Sequence, residues 1–547
     1  MVITDLLEKN ARLYGQEIAL VEVSPSEKRD QAITWRESSL IESAIDSPYR
    51  REMNWKTFDH MANRFANLLL SRDIPKGTKV GMLMMNCLEF LPIYFGILKA
   101  GCIVVPMNYR YSSDEIKYCL ELADIEVFVF GPEFIARMDA IASNIPTVKT
   151  LFFVGKTTDV PTYAENCLKV LQYTSVEAPP IALNQEDYAA IYFSSGTTGF
   201  PKAILHRHKA LYCSCLVEQN HHGQTHEDVF LCIPPLYHTG AKMHWFGSLL
   251  TGSKAVILRG AKPEWILRTV TEEKCTIVWL LVPWAQDILD LIDSGKIKLQ
   301  DYLLDQWRLM HIGAQPVPPS LIRRWLGYFP HHKYDTNYGL SESIGPGCVH
   351  LGVENVDKVG AIGVPGYLWE AKIVRNDQLE EVQGDEVGEL AVKGPGVMAC
   401  YYKNQEATDE ILKGDWLLTG DMAKRDSDGF IYLVDRKKDV IITGGENIYP
   451  VQIEDHLRKN EKIKDVAVIG LPDSRLGEIT AAIISIKDGM SCTEQEIEDF
   501  CMELPRYKRP RKIIFADVPR NPTGKIEKPV LRQKYCGGLL VEQQIKG

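Results

Sequence analysis

The sequence predicts an α/β protein: a large N-terminal domain of two helix-covered, mainly parallel sheets with a small β-barrel-like subdomain, followed by a small α+β C-terminal domain. Three observations carry this. Apolar strands alternate with amphipathic helices over the first three quarters of the chain; from about Gly360 the texture changes to short strands broken by turn residues; and after Arg436 helices and strands mix again in a segment long enough for one small domain. Strand–helix alternation buries strands on both faces, which is the pattern of parallel sheets under helical cover.

In chain order, KVGMLMM (79–85) reads as a buried strand, LEFLPIYFGILKAG (88–101) as a helix, CIVVP (102–106) as a strand, DEIKYCLELAD (114–124) as an amphipathic helix and EVFVF (126–130) as a strand. The alternation recurs in AVIL (255–258), EWILRTVTEEK (264–274), CTIVWLLV (275–282), PSLIRRWLGYF (319–329) and HKYDTNYG (332–339). The short strands GAIGVPG (360–366), GELAVKGPG (388–396) and DSDGFIYL (426–433) suggest a small barrel or curled sheet. Beyond them, YPVQIEDHLRKN (449–460) and TEQEIEDFCMEL (493–504) read as helices, with DVAVIGL (465–471) and TAAIISI (480–486) as strands between them.

The chain has 547 residues, 45% of them hydrophobic, which is too long for a single core and ample for several domains. A net charge of -10 excludes a general electrostatic pull toward nucleic acid or an anionic membrane, so any basic site is local. The 13 cysteines are scattered with no C-x-x-C, which speaks against a zinc knuckle or dithiol motif and suits a reducing compartment. No apolar run approaches the roughly 20 residues of a membrane helix. Neither end reads as a targeting signal, so a cytoplasmic protein with no membrane insertion is expected. His206, His208, His221, His222 and His226 show no ligand spacing and are expected as exposed loop histidines.

The stretch IYFSSGTTGFPKAI (191–204) places Ser, Thr and Gly behind an apolar run and a lysine after them. A P-loop needs Gly directly before its Lys and a hydroxyl directly after, because backbone N–H groups wrap the phosphates. Here Pro201 precedes Lys202 and Ala203 follows it, and proline has no N–H to donate. A phosphate loop at this place leans instead on the hydroxyls of Ser194, Ser195, Thr197 and Thr198, with Gly196 and Gly199 permitting the bends. A Ser/Thr/Gly surface turn is the plainer alternative.

SSGTTGFPK resembles the phosphate loop of the adenylate-forming superfamily: acyl-CoA synthetases, peptide-synthetase adenylation domains and luciferases. In the same order as in that family follow PPLYHTGA (234–241), GAQP (313–316), NYGLSES (337–343), GAIGVPG, GDWLLTGD (414–421), DRKKDVIITGGENIYPVQIE (435–454) and NPTGKIEK (521–528). The resemblance runs from about residue 54 to 536. It implies the domain plan 1–435 for an ATP- and acid-binding domain, with a β-rich subdomain over about 360–435, a hinge at 436–438 that includes Lys438, and 439–547 for a mobile lid.

The resemblance also implies roles, each matched by suitable chemistry. Tyr338 offers a face for adenine, with Gly313, Ala314 and Gln315 on the other side and Asn337 and Gly339 beside it. Asp421 accepts both ribose hydroxyls, backed by Arg436. Glu342 is the hard oxygen ligand for Mg2+. Ser341 stands where the family has Thr and keeps the hydroxyl toward the α-phosphate. Lys525 reaches the substrate carboxylate and the α-phosphate, where charge develops. With Lys202 on the phosphates, these residues imply ATP-dependent formation of an acyl-AMP.

For the acceptor, coenzyme A is implied by TGGENIYP, where Gly444 and Gly445 lack side chains and leave backbone room for a pantetheine arm beside Glu446. The basic run RYKRPRK (506–512) suits the nucleotide phosphates of coenzyme A or is simply a solvated face. Tyr237 and His238 stand where amino-acid-activating relatives carry an ammonium-binding Asp, and no carrier domain is expected after Lys525. An enzyme that passes its acyl group to a separate carrier protein is the alternative. The acyl pocket is implied around Tyr237, His238, Thr239, Gly240, Lys242, Trp245, Trp284, Gly313 and Gly339, and its tryptophans suggest a compact aromatic, alicyclic or short- to medium-chain acid. Residues 24–52 replace a turn usual in the family and read as a surface elaboration or a subunit contact, so a homodimer is a further option.

Overall fold

Strands rich in apolar residues assemble into two parallel-rich sheets, as the alternation predicts. The computed structural model describes residues 1–25, 41–42, 50–194, 201–313, 317–345, 347–350, 356–375, 377–443, 446–520 and 526–536. The chain divides into two compact units, one of residues 1–371 and 392–417, the other of residues 372–391 and 418–547.

In the first unit a ten-stranded sheet runs in the order Val364–Pro365, Cys348–His350, Lys333–Tyr338, Leu309–Gly313, Ile277–Leu281, Val229–Cys232, Lys254–Leu258, Ile18–Val23, Arg50–Asn54, Ile41–Glu42. Its central strands are parallel, and the strands at each edge are antiparallel. Side chains alternate between two apolar clusters: Leu20, Phe230, Ala255 and Ile277 enter one, and Val21, Leu231, Val256 and Val278 enter the other. This is the period of two that a strand imposes. The first cluster also takes in Val80, Met82 and Val104 of an eight-stranded sheet, ordered Cys400–Tyr401, Lys202–Arg207, Tyr188–Ser194, Ile103–Pro106, Lys79–Leu83, Ile125–Phe130, Thr150–Phe153, Glu165–Asn166. The helices Trp55–Ser71, Phe90–Lys99, His208–His222 and Thr239–Thr251 contribute to that same cluster, so the main core lies where helices join both sheets. Local signals mark the ends of these helices. Asn54 caps Trp55–Ser71 by accepting from Thr57 N, and Gly223 and Gly252 close their helices at φ +54 and +73, where a Cβ would be strained.

Two expectations are corrected here. Trp245 is fully buried in the main core, with ring centroids 6.0, 5.8 and 5.9 Å from those of Phe58, Phe95 and Phe246, while Trp284 packs against the other cluster. The two tryptophans therefore do not share one pocket wall. The end of the 24–52 segment is not surface: Arg50–Asn54 pairs antiparallel with Ile18–Val23, and Arg51 is 2% exposed. Residues 26–40 and 43–49 lie outside the described residues.

Glu370–Val374, Gly388–Lys393, Trp416–Arg425 and Ile431–Arg436 form most of the small β-rich sheet, and most of their residues fall in the second unit. The compact units place 372–391 and 418–435 with the C-terminal residues, earlier in the chain than the boundary expected at 435. A second sheet is ordered Glu446–Ile448, Ile441–Thr443, Gly477–Ile486, Ile463–Asp473, with Lys512–Phe515 parallel to Gly477–Ile486. Apolar clusters on its two faces include Ile453 and Ile497 from helices Pro450–Leu457 and Glu494–Phe500, and Leu531 from Lys528–Tyr535. A capping box between Thr493 and Glu496 starts the second of these helices. No helix among the described residues is long and apolar enough to cross a membrane.

Candidate active site

Four neighbouring parallel strands of the ten-stranded sheet, Lys333–Tyr338, Leu309–Gly313, Ile277–Leu281 and Val229–Cys232, deliver the candidate residues at their C-terminal ends. That is where open α/β sheets bind ligands. Gly313 and Tyr338 end their strands, and Pro234–Gly240 follows Val229–Cys232. The loops meet: Thr239 Oγ1 and Ser341 Oγ stand 3.4 Å apart. A Cβ on Gly240 would lie 3.1 Å from the Trp279 ring, and one on Gly313 would lie 3.6 Å from Thr336 Oγ1 and 4.0 Å from His311 Nε2. Trp279 and His311, whose ring centroids are 6.0 Å apart, thus form the floor beneath the two glycines. Tyr237 is buried edge-on to Tyr109 at 5.4 Å; His238 is exposed and caps helix Thr239–Thr251 by accepting from Gly240 N at 3.1 Å. Asn337 donates to Glu218 at 3.2 Å, Tyr338 is 8% exposed and Gly339 is exposed. Ala314 and Gln315 lie outside the described residues.

Two antiparallel strands flank the phosphate-loop motif. Ser194 and Lys202 are register partners on the antiparallel strands Tyr188–Ser194 and Lys202–Arg207. Ser195, Gly196, Thr197, Thr198 and Gly199 lie outside the described residues. Lys202 Nζ sits 4.7 Å from the centre of the Tyr401 ring, and Tyr401 Oη donates to Glu342 Oε1 at 2.8 Å. Tyr401 therefore links the loop lysine to the carboxylate expected to bind magnesium. No sequence signal marked it, since its strand of two residues lies far downstream of both partners. His206, buried and pushed down to about 4 by loss of solvation, is neutral; its Nε2 is 2.8 Å from the Ser341 carbonyl, which can only accept, so Nε2 carries the proton. Ser341 is held from behind by a side chain that sequence reading assigned elsewhere.

Lys242, named above among the pocket residues, is buried. It is 1% exposed, donates to the carbonyls of Leu236 and Tyr237 at 2.7 and 3.2 Å, and lies 4.5 Å from the Tyr192 ring centre. Burial drives its ammonium well below the usual lysine value. Its place is under the PPLYH loop, which it holds by the backbone.

In the second unit, Asp421 and Arg436 are register partners on the antiparallel strands Trp416–Arg425 and Ile431–Arg436, and Arg436 Nε meets Asp421 Oδ1 at 2.6 Å. Asp421 is 4% exposed, and Gly420 before it takes φ +71 with its N–H donated to Glu389 at 2.9 Å. Lys438 is exposed in the single turn Lys437–Asp439, and Glu446 is exposed at the start of Glu446–Ile448. Gly444, Gly445 and Lys525 lie outside the described residues. In the basic run, Lys508 donates to Gln452 at 2.7 Å and Arg509 to the Leu504 and Met502 carbonyls at 2.9 Å, leaving Arg506 and Arg511 exposed.

The histidines correct a further expectation. His206, His208, His221 and His222 are all buried, and His226 is half-buried, stacked on Tyr14 with Nε2 2.9 Å from Glu17. The first four start or line helix His208–His222 or lie in the strand before it and are buried in the core, whereas His226 lies in the turn after the helix.

A family model described as AMP-binding enzyme matches residues 8–402, and one described as AMP-binding enzyme C-terminal domain matches residues 452–525. The long-chain-fatty-acid–CoA ligase FadD13 of Mycobacterium tuberculosis is 29% identical over 501 residues, covering 91% of this chain and 96% of that one. A feruloyl-CoA synthase of an Amycolatopsis species is 30% identical over 476 residues, covering 86% and 92%. Among solved structures, the anthranilate CoA ligase AuaEII in complex with anthranoyl-AMP shares the fold, with a TM-score of 0.82 at 24% identity over 98% of this chain and 97% of that one.

Proposed function

This chain belongs to the AMP-binding enzyme family, and from that premise we propose that it activates a compact aromatic, alicyclic or short- to medium-chain acid for transfer to coenzyme A. It is an acyl-CoA synthetase, an AMP-forming acid–thiol ligase that uses a carboxylic acid, ATP, Mg2+ and coenzyme A. A carboxylate is a poor acyl donor because its leaving group would be oxide. Its attack on the α-phosphate of ATP forms an acyl-AMP and expels pyrophosphate, after which the thiol of coenzyme A displaces AMP.

The residues divide this work. Glu342 fits magnesium, a hard cation, with a carboxylate oriented by the Tyr401 hydroxyl. The bound ion neutralises charge on the phosphoryl oxygens. Lys202 and the hydroxyls of 194–198 hold phosphates, Ser341 hydrogen-bonds the α-phosphate, and Lys525 supplies a cation where charge develops. Tyr338 stacks adenine, and Asp421, steadied by Arg436 at 2.6 Å, accepts the ribose hydroxyls. Gly444 and Gly445 leave the pantetheine arm room at the backbone. Lys438 is the hinge residue of this reading.

The observation that carries the acid class is the floor beneath Gly240 and Gly313, built from Trp279 and His311. An indole and an imidazole there close off depth and favour a flat or short acyl group over a long tail. Incubation with ATP, magnesium, coenzyme A and a panel of acids, with thioesters identified by mass, tests it. Benzoate-sized or medium-chain products are expected; thioesters of long-chain acids alone would refute the acid class. Trp279→Ala is expected to shift preference toward larger acids by about 1–3 kcal/mol per added methylene accommodated, measured as the ratio of kcat/KM values. Asp421→Ala removes a charged acceptor for the ribose and is expected to weaken ATP by about 1.5–3 kcal/mol, read from the ATP dependence of pyrophosphate release.

A further inference from the structure

His221 and His222 close helix His208–His222, and His311 and Asp335 sit side by side as register partners on the parallel strands Leu309–Gly313 and Lys333–Tyr338. One donor atom from each lies within 4.8 Å of all the others. We propose that these four side chains bind one divalent transition-metal ion of the zinc class, at a site distinct from the magnesium ligand Glu342.

The spacing fits. Four donors about 2.0–2.1 Å from a tetrahedral ion stand about 3.3 Å from one another. Here His222 Nε2 is 3.4 Å from His311 Nδ1, His221 Nε2 is 3.5 Å from Asp335 Oδ2, and His222 Nε2 is 4.0 Å from the same oxygen. His311 Nδ1 and Asp335 Oδ1 are closer, at 2.6 Å, because they share a hydrogen bond that coordination would replace. All edges lie within 4.8 Å, and closing on an ion would turn the side chains toward the tetrahedral spacing. Both pairs hang on rigid frames, one on a helical turn and one on adjacent strands, which is how a preformed site is held.

The donor set names the metal class. Three imidazoles and one carboxylate suit zinc or a neighbouring first-row ion, and magnesium and calcium prefer oxygen alone. Glu218, one helical turn before His222, puts Oε2 3.5 Å from His222 Nε2. The four residues are 0 to 5% exposed, so the site is closed by protein ligands. A closed site of four protein ligands is structural rather than catalytic. Its effect follows from position: His311 lies two residues before Gly313 and Asp335 three before Tyr338. The ion ties helix His208–His222 to the two strands whose ends carry the adenine-facing residues.

The test uses the full chain without a tag. After chelator treatment and dialysis, zinc chloride is titrated and bound metal counted by elemental analysis. One zinc per chain is expected, with a rise in Tm, and cobalt(II) chloride in its place should give the visible absorption of a tetrahedral site. His222→Gln and Asp335→Asn should each weaken zinc by at least about 100-fold and abolish the cobalt band. Wild-type chain that retains no stoichiometric zinc and shows no tetrahedral cobalt band overturns the proposal, whatever the variants do. Unchanged zinc affinity in both variants places the metal elsewhere, for example on cysteines, and overturns it equally. None of these outcomes depends on the acid used, so they leave the reading of the ligase activity to its own test.

Discussion

Lys525→Ala is expected to lower acyl-AMP formation by about 10²–10³-fold, the loss usual when one preorganised donor to a developing oxyanion is removed. When the carboxylate attacks, negative charge accumulates on the α-phosphate and the bridging oxygen, and in the proposed reading the lysine of NPTGKIEK supplies the matching cation. Thioester formation starts from acyl-AMP and a thiol, with no carboxylate anion to bring against the α-phosphate, so it is expected not to depend on the same cation. The variant should therefore split the two half-reactions. Pyrophosphate release from acid and ATP falls, while acyl-CoA still forms from supplied acyl-AMP. Equal loss in both assays would remove Lys525 from its proposed role. Gly445→Leu is expected to show the opposite split, losing transfer to coenzyme A while adenylation continues.

The largest effect on stability is expected at Arg51. Its guanidinium bridges two fully buried carboxylates: Nη1 donates to Glu89 Oε1, Nη2 to Glu89 Oε2 at 2.8 Å, and Nη2 to Glu22 Oε2 at 2.6 Å. Glu22 also accepts from Leu88 N at 2.9 Å, with Arg259 3.7 Å away. Burial alone would raise the Glu22 carboxyl, yet Arg51 first and Arg259 second outweigh it and hold the group below its usual value. Arg51→Ala leaves two carboxylates in an apolar core with only Arg259 beside one of them. The expected cost is about 3–5 kcal/mol, seen as a lower urea midpoint at neutral pH. Arg51→Lys should recover only part, because an ammonium cannot fork to two carboxylates. Adding Glu22→Gln and Glu89→Gln to Arg51→Met should recover more, since neutral amides remove the stranded charges. A midpoint unchanged in Arg51→Ala would show that the cluster adds nothing to folding.

Arg51 also shows where reading the chain stops. It belongs to a segment with no motif and no helical or strand period, and its burial depends on Glu22 and Glu89, 29 and 38 residues away. Trp245 offers the converse: an aromatic beside a pocket motif, whose place was decided by Phe58 and Phe95 packing onto it from distant helices. Tyr401 became visible only because the strand Lys202–Arg207 and the turn at Glu342 converge on it.

What the sequence determined by itself is what local chemistry controls. Unbroken apolar runs of four to eight residues separated by amphipathic segments force parallel strands under helices, because such strands must be covered on both faces. The sheets form where those runs predict. The order of glycine-, hydroxyl- and charge-bearing motifs, each tied to a backbone bend or a phosphate, identified the family before any contact was known. The tertiary structure alone decided which polar groups are buried and with what. Parallel register set His311 beside Asp335 although 24 residues separate them, and helix packing brought His221 and His222 over that pair. No periodicity encodes such meetings. They arise when desolvated groups from remote segments must satisfy one another inside a core, and that requirement is expressed only once the chain has folded.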